Sequence, residues 1–252
     1  MKTYAPSYYR NFRCTADRCR HTCCAGWDVD IDEETLNKYR AMTGEFAGHL
    51  KKCIDFGKDP HFILTKDERC PMLNERNLCE LILHEGEEAL CQICRDHPRL
   101  RNFWTGRIEV GLGMACEEAA RLILTQKEPL RLEVIEEDVP GNTEVLPEDE
   151  QYLMQVREDL LEEAASVESA PLARLLEYLI YRHIADALYD DCLEERIAFI
   201  RETYFELAGQ WNDGNLESLM EIVRSWSAEY EYDTDRIRGL LDKICVSDYN
   251  QQ

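Results

Sequence analysis

Beyond Pro147 the apolar positions recur at helical spacing. Residues 149–165 carry Leu153, Val156, Leu160 and Leu161, and residues 171–189 carry Leu172, Leu175, Leu176, Leu179 and Ile180. Pro171 suits a first helical turn, where its missing N–H is not needed. The same division into apolar and charged faces predicts helices over 192–209, 214–230 and 233–245. The earlier part of the chain is mixed. Residues 27–31 alternate apolar and polar, which predicts a strand, and Asp32 then reads as the N-cap of a helix to about residue 42, with Glu33 and Glu34 in its first turn. A short strand is expected over 61–65 and another over 106–112, followed by a helix over 115–125 with Ala119, Leu122 and Ile123 on one face. Residues 126–149 hold Pro129, Pro140, Gly141, Asn142 and Pro147 among acidic residues and read as a connector, with a strand over 132–135. No repeat of fixed period and no low-complexity tract is visible.

These elements predict an α+β chain, mainly α. A cysteine-rich region over 1–125 with short strands leads through a connector over 126–149 to a helical region over 150–252. Hydrophobic residues make up 44% and charged residues 32% of the 252 positions, as in a folded soluble protein. No apolar run reaches the roughly 18 residues that span a bilayer, and the first residues lack a signal-peptide pattern. The expectation is a cytoplasmic protein. Charge sharpens the division: residues 1–125 carry a net −2 and residues 126–252 a net −20. So acidic a half argues against nucleic acid, which needs a basic footprint, and against anionic membranes.

A reducing cytosol changes the reading of the twelve cysteines from disulfides to metal ligands. Ten lie before residue 117. They form the groups Cys14-x4-Cys19-x3-Cys23-Cys24, Cys70-x8-Cys79 and Cys91-x2-Cys94, then Cys116. Close spacing lets several sulfurs reach one ion at little loop-closure cost. Zinc and iron–sulfur clusters both take thiolates. Only Cys91-x2-Cys94 has the zinc-knuckle form, so the irregular spacing favours an iron–sulfur cluster with zinc as the alternative. Cys53, Cys192 and Cys245 stand alone and read as packed apolar side chains. His21 suits a ligand or an outer-shell role, His97 packing; His49, His61, His84 and His183 show no sign of chemistry.

The run Tyr8-Tyr9-Arg10-Asn11-Phe12-Arg13-Cys14, then Cys19 and Cys23-Cys24-Ala25-Gly26-Trp27, resembles the start of the flagellin lysine-N-methylase family, within the wider group of zinc- or iron-chelating CxxCxxCC domains. Cys70-Pro71-Met72-Leu73 with Leu78-Cys79, Cys94-Arg95-Asp96-His97-Pro98-Arg99 and Met114-Ala115-Cys116-Glu117 resemble its later blocks, with Glu117 where proline is common. The resemblance covers roughly residues 4–125. It implies an iron–sulfur protein, with a cluster of the 4Fe–4S kind, that uses S-adenosylmethionine to methylate lysines of flagellin. Its pattern falls on Cys14, Cys19, Cys23, Cys24, Cys70, Cys79, Cys94 and Cys116. Cys91 falls outside the pattern, as a spare thiol.

The residues themselves spell out less. No glycine-rich turn of the usual methyl-donor folds is present, and Gly26 stands where a C-x3-C-x2-C motif needs its third cysteine. A cluster held by three cysteines would leave one iron open to the donor's amino and carboxylate groups. Arg13, Arg95 and Arg99 are candidates to hold the donor carboxylate, or equally to pair with acidic neighbours and fix the cysteine loops. Tyr8, Tyr9, Trp27 and Trp104 suit a lysine channel, but core packing is the stronger reading for each. No catalytic base and no oligomeric state can be read. Two rival classes stand beside the methyltransferase: a zinc- or iron-binding module without transfer activity, and a redox or electron-transfer iron–sulfur protein.

Overall fold

A computed structural model describes residues 1–137, 145–190 and 192–249. In chain order its elements are β1 (Lys2–Pro6), α1 (Glu33–Ala41), α2 (Glu45–Lys52), β2 (Ile54–Asp55), β3 (His61–Phe62), α3 (Glu80–Glu85) and α4 (Gln92–Asp96). Then come β4 (Arg99–Trp104), β5 (Arg107–Leu112), α5 (Glu117–Leu124), β6 (Leu132–Glu137), α6 (Glu148–Ala165), α7 (Ala170–His183) and α8 (Ala187–Asp190). The last three are α9 (Leu193–Gln210), α10 (Leu216–Tyr230) and α11 (Thr234–Tyr249). The class is α+β, mainly α.

The chain forms two compact units: Cys14–His97, here the cysteine unit, and Met1–Arg13 with Pro98–Gln252, here the sheet unit. These divide at 13/14 and 97/98, whereas the composition-based division at 125/126 and 149/150 falls inside the sheet unit.

The sheet unit holds one mixed sheet of order β4-β5-β1-β6. Strands β4 and β5 form an antiparallel hairpin closed by Trp104 opposite Arg107, and Gly106 supplies the left-handed backbone of its turn (φ 72°). Strand β1 runs parallel to β5, with Tyr4 opposite Glu109, and β6 lies antiparallel on its other side. Helices α5, α7, α9 and α10 bury one apolar core in which Leu175, Leu179 and Leu219 have no exposed surface. Each such side chain contributes about 1.5–3 kcal/mol on leaving water. Glu109 on β5 is also fully buried, and the Arg107 and Arg157 guanidiniums neutralise it, the second at 2.7 Å from α6. Arg157 lies 5.3 Å over the Trp104 ring.

The cysteine unit packs Val29, Ile31, Leu36, Tyr39, Leu50, Phe62, Met72 and Leu81 into a second core. Asp32 caps α1 by accepting the Thr35 N–H at 2.9 Å, as the sequence predicts. Over 27–31 the alternation is real in burial, with Val29 and Ile31 inside and Asp28 and Asp30 outside, but no strand forms. Asp30 makes only an isolated bridge to His61, because the facing strand is two residues long. The helix expected over 171–189 stops at His183 and continues as a 3-10 turn, Ile184–Asp186, and α8. The connector contributes β6, longer than the strand expected over 132–135; Pro140, Gly141 and Asn142 lie outside the described residues.

Candidate thiol-rich site

Three local structures deliver cysteines to the core of the cysteine unit. The 23–26 loop is tied to the 68–70 segment: the Cys70 N–H donates to the Cys24 carbonyl at 2.7 Å and the Gly26 N–H to the Glu68 carbonyl at 2.9 Å. Gly26 turns the chain at φ 82°, which a side chain would resist. The loop from Cys70 to Cys79 folds back on itself, with Leu73 bridging Cys79 and the Glu80 N–H donating to the Met72 carbonyl at 2.7 Å. Asn74 organises its tip by accepting the Arg76 and Leu78 N–H groups at 2.9 and 3.1 Å. Cys91 is the N-cap of α4, and Cys94 follows one turn later on the same face.

Cys70 and Cys91 are buried, and Cys24, Cys79 and Cys94 half-buried, against the same core. The Sγ atoms of Cys91 and Cys94 are 3.4 Å apart and share a hydrogen. The five groups feel one another's charge: Cys24 and Cys91 each act on Cys70, Cys79 and Cys94. A hydrogen bond from Cys23, opposed by burial and helped by Thr22 and the Arg69 charge, brings the Cys24 thiol down to about 7. Burial pushes Cys70 up to about 12 and raises Cys79. Within the close pair the shared hydrogen holds Cys94 well up and, against burial, Cys91 down. Tyr39, whose hydroxyl donates to the Ala89 carbonyl at 2.6 Å, is raised by burial and by the charges of Cys91, Cys94 and Cys79.

Of the eight cysteines on the family pattern, Cys24, Cys70, Cys79 and Cys94 border the core of the cysteine unit. Cys14 is exposed and accepts the Ala16 N–H at 3.4 Å, Cys19 donates to the His21 carbonyl at 2.6 Å, and Cys23 is exposed beside Cys24. Cys116 belongs to the sheet unit, where it caps α5 and packs against that core. Of the arginines, Arg13 gives its Nη1 to the carbonyls of Arg10 and Phe12, and Arg99 lies 5.5 Å over the Phe12 ring, both in the sheet unit. Arg95 is in the cysteine unit, 3.1 Å from Gln92 Oε1. Thiols of this kind suit a soft cation by donor chemistry. As placed they make one close pair: among the described residues no group of three or more His, Cys, Asp or Glu is arranged to hold a metal ion.

Cys91, which falls outside the family pattern, stands 3.4 Å from Cys94, and the signal for that pairing was its C-x2-C spacing. Sequence reasoning also passed over His183, which no motif surrounds. It is buried in the sheet unit, 3.1 Å from Glu231, which also accepts from Tyr178 at 2.7 and 2.9 Å and from Ser227. Tyr178 in turn accepts the Met114 N–H at 3.1 Å. Tyr8 and Trp104 are core side chains. Tyr8 lines a cavity of about 10 Å³ with Arg174 and Glu177, room for one water molecule. Among the described residues no helix is long and apolar enough to cross a membrane.

In alignments of 235 positions that cover 86% of it, the chain is 25% identical to proteins named lysine-N-methylase from Salmonella choleraesuis strain SC-B67 and Salmonella typhimurium strain LT2. It spans 56% of the length of these relatives. It is also 25% identical over 140 residues to a protein named flagellar biosynthetic protein FliU from Salmonella muenchen, half of this chain and 79% of that one. The likeness to lysine-N-methylases read from the four cysteine blocks thus extends well beyond them. No protein-family model and no solved structure matches the chain.

Proposed function

We propose that the protein is a protein-lysine N-methyltransferase that acts on flagellin, takes its methyl group from S-adenosylmethionine, and works at or near an iron–sulfur centre of the 4Fe–4S kind. The observation that carries this reading is the similarity to lysine-N-methylases along 86% of the chain. The relative named for flagellar biosynthesis supports the flagellar substrate. The thiols of the cysteine unit support the centre, with Cys24, Cys70, Cys79 and Cys94 as its ligand pool and Cys91 beside them. Cys14, Cys19 and Cys23 lie near in sequence as further ligands, and Cys116 belongs to a separate set. When bound, such a cluster supplies iron with an affinity for amino and carboxylate groups.

The transfer makes simple demands. A neutral lysine nitrogen attacks the electrophilic methyl carbon, the carbon–sulfur bond breaks, a thioether leaves and the nitrogen sheds a proton. The chain must therefore align the two partners and accept that proton. The reading places the protein in the cytoplasm, where thiols stay reduced.

One observation favours a second reading, a zinc- or iron-binding module without transfer activity. The cysteine unit has only two-residue strands and a small core bordered by thiols, the kind of unit that a bound metal stabilises. Incubating flagellin with methyl-labelled donor separates the two. Label on flagellin lysines is the result expected; protein that binds metal and donor but leaves flagellin unlabelled supports the module.

A further inference from the structure

Two thiols need to approach from contact to about 2.05 Å to become a disulfide. Cys91 and Cys94 stand at 3.4 Å, one helical turn apart, so closure needs a movement of little more than 1 Å by side chains that already face each other. The bond would close a very short loop, with little chain entropy at stake. Their exposures differ in a useful way: Cys94 is half-buried and Cys91, with no exposed surface, lies beneath it. A small reagent therefore reaches Cys94 first and finds a second sulfur waiting behind it. Cys24 also takes a hydrogen bond from Cys23, but those two are neighbours in the chain, and Cys70 is enclosed in the core.

We propose that Cys91 and Cys94 form an oxidation-sensitive dithiol, a modification site that small peroxides close to a disulfide and dithiols reopen. In the first step the Cys94 thiol, the more exposed of the two, gives up its hydrogen as its sulfur attacks one peroxide oxygen. The sulfur–oxygen bond forms, the oxygen–oxygen bond breaks, and the departing oxygen leaves as water with the thiol proton. Cys94 is then a sulfenic acid. In the second step the Cys91 sulfur attacks the Cys94 sulfur, the sulfur–sulfur bond forms, and the hydroxyl leaves with the Cys91 proton as a second water. The two thiols give up two electrons, and one hydrogen peroxide becomes two waters. Asp32 is a positioning residue for this chemistry: its carboxylate holds the Gln92 N–H at 2.8 Å and so fixes the turn that carries both cysteines.

The inference does not rest on the metal reading, although closure takes Cys94 out of the proposed ligand pool. The test measures metal content first, then treats the full chain with hydrogen peroxide before and after chelation, without other oxidants. Thiols are counted and the digest is mapped by mass spectrometry. The expected result after chelation is a loss of two of the twelve thiols, a peptide pair linked through Cys91 and Cys94, and recovery on adding a dithiol. Cys91→Ala should instead leave Cys94 open to a sulfenic-acid trap, with no linked peptide. Because that variant alters a buried position, mapping of the unaltered chain decides the matter. Links only between other cysteines, or no loss of thiols, would overturn the inference. A chain that binds no metal yet closes this bond upholds it and sinks the metal reading; a chain that binds metal but, once chelated, fails to join Cys91 to Cys94 does the reverse.

Discussion

Asp32 accepts the backbone N–H of Gln92 at 2.8 Å through Oδ2, while its Oδ1 takes that of Thr35 at 2.9 Å. One carboxylate thus caps α1 and pins the first residue of α4, which carries Cys91 and Cys94. Asp32→Ala is expected to lower the stability of the cysteine unit by about 2 kcal/mol, since it removes a cap and a charge-assisted bond. Urea unfolding followed by a probe in this unit measures it. Asp32→Asn, which keeps one accepting oxygen and turns the other into a donor, should fall between the parent and Asp32→Ala.

The sheet unit depends on a different carboxylate. Glu109 is fully buried between the Arg107 and Arg157 guanidiniums. Removing one partner of such a group strands the others without compensation, at about 3–5 kcal/mol. Glu109→Ala should therefore lower the unfolding midpoint sharply, and a loss under about 1 kcal/mol in equilibrium unfolding would show that the ion pairs carry little.

Acid should act through carboxylates held below their ordinary range. Burial alone would raise Glu231, but the His183 hydrogen bond and the His183 and Arg182 charges outweigh it and the carboxyl is lowered. Asp186 is lowered in the same way by His183, Arg182 and Arg196. A lowered folded-state pKa means fewer protons bound in the folded state than in the unfolded one. The stabilisation is then complete above the unfolded value, about 4.3 for glutamate, and is lost as pH falls through the folded value. Glu231→Gln should be less stable than the parent at neutral pH, with the gap narrowing below about pH 4. A gap that stays constant down to the acid transition would contradict this.

In metal-free protein the Cys24 thiol should titrate near 7, because Cys23 donates a hydrogen bond to it. Alkylation of Cys24 as a function of pH, followed by mass spectrometry, reads this directly. Cys23→Ala should shift the profile towards higher pH, with a slower reaction at neutral pH.

Much of the fold was legible. Helices α5, α6, α7, α9 and α10 follow from the 3.6-residue spacing of Leu122, Leu153, Leu175, Phe199 and Val223 with their neighbours, because each buries a single stripe. Strand β1 was not legible, because what makes it a strand is pairing with Arg107–Leu112 and Leu132–Glu137, more than a hundred residues away. Helices α3 and α4 are too short to show a period. At the candidate site, spacing revealed that cysteines cluster but not which ones meet. Cys70 is tied to Cys24 by a backbone hydrogen bond between two loops, and Asp32 fixes the turn of Cys91 by holding the Gln92 N–H. Neither tie leaves a mark in a one-dimensional pattern.

The most direct test of the account is the metal and sulfide content of protein purified without oxygen, together with its absorption spectrum. The account predicts iron and sulfide in near equal amounts with broad absorbance of thiolate-bound iron. It also predicts loss of both when Cys24, Cys70, Cys79 or Cys94 is replaced by Ser, while Cys53→Ser retains them. Zinc without sulfide, or no metal even after anaerobic reconstitution with iron and sulfide, would contradict it.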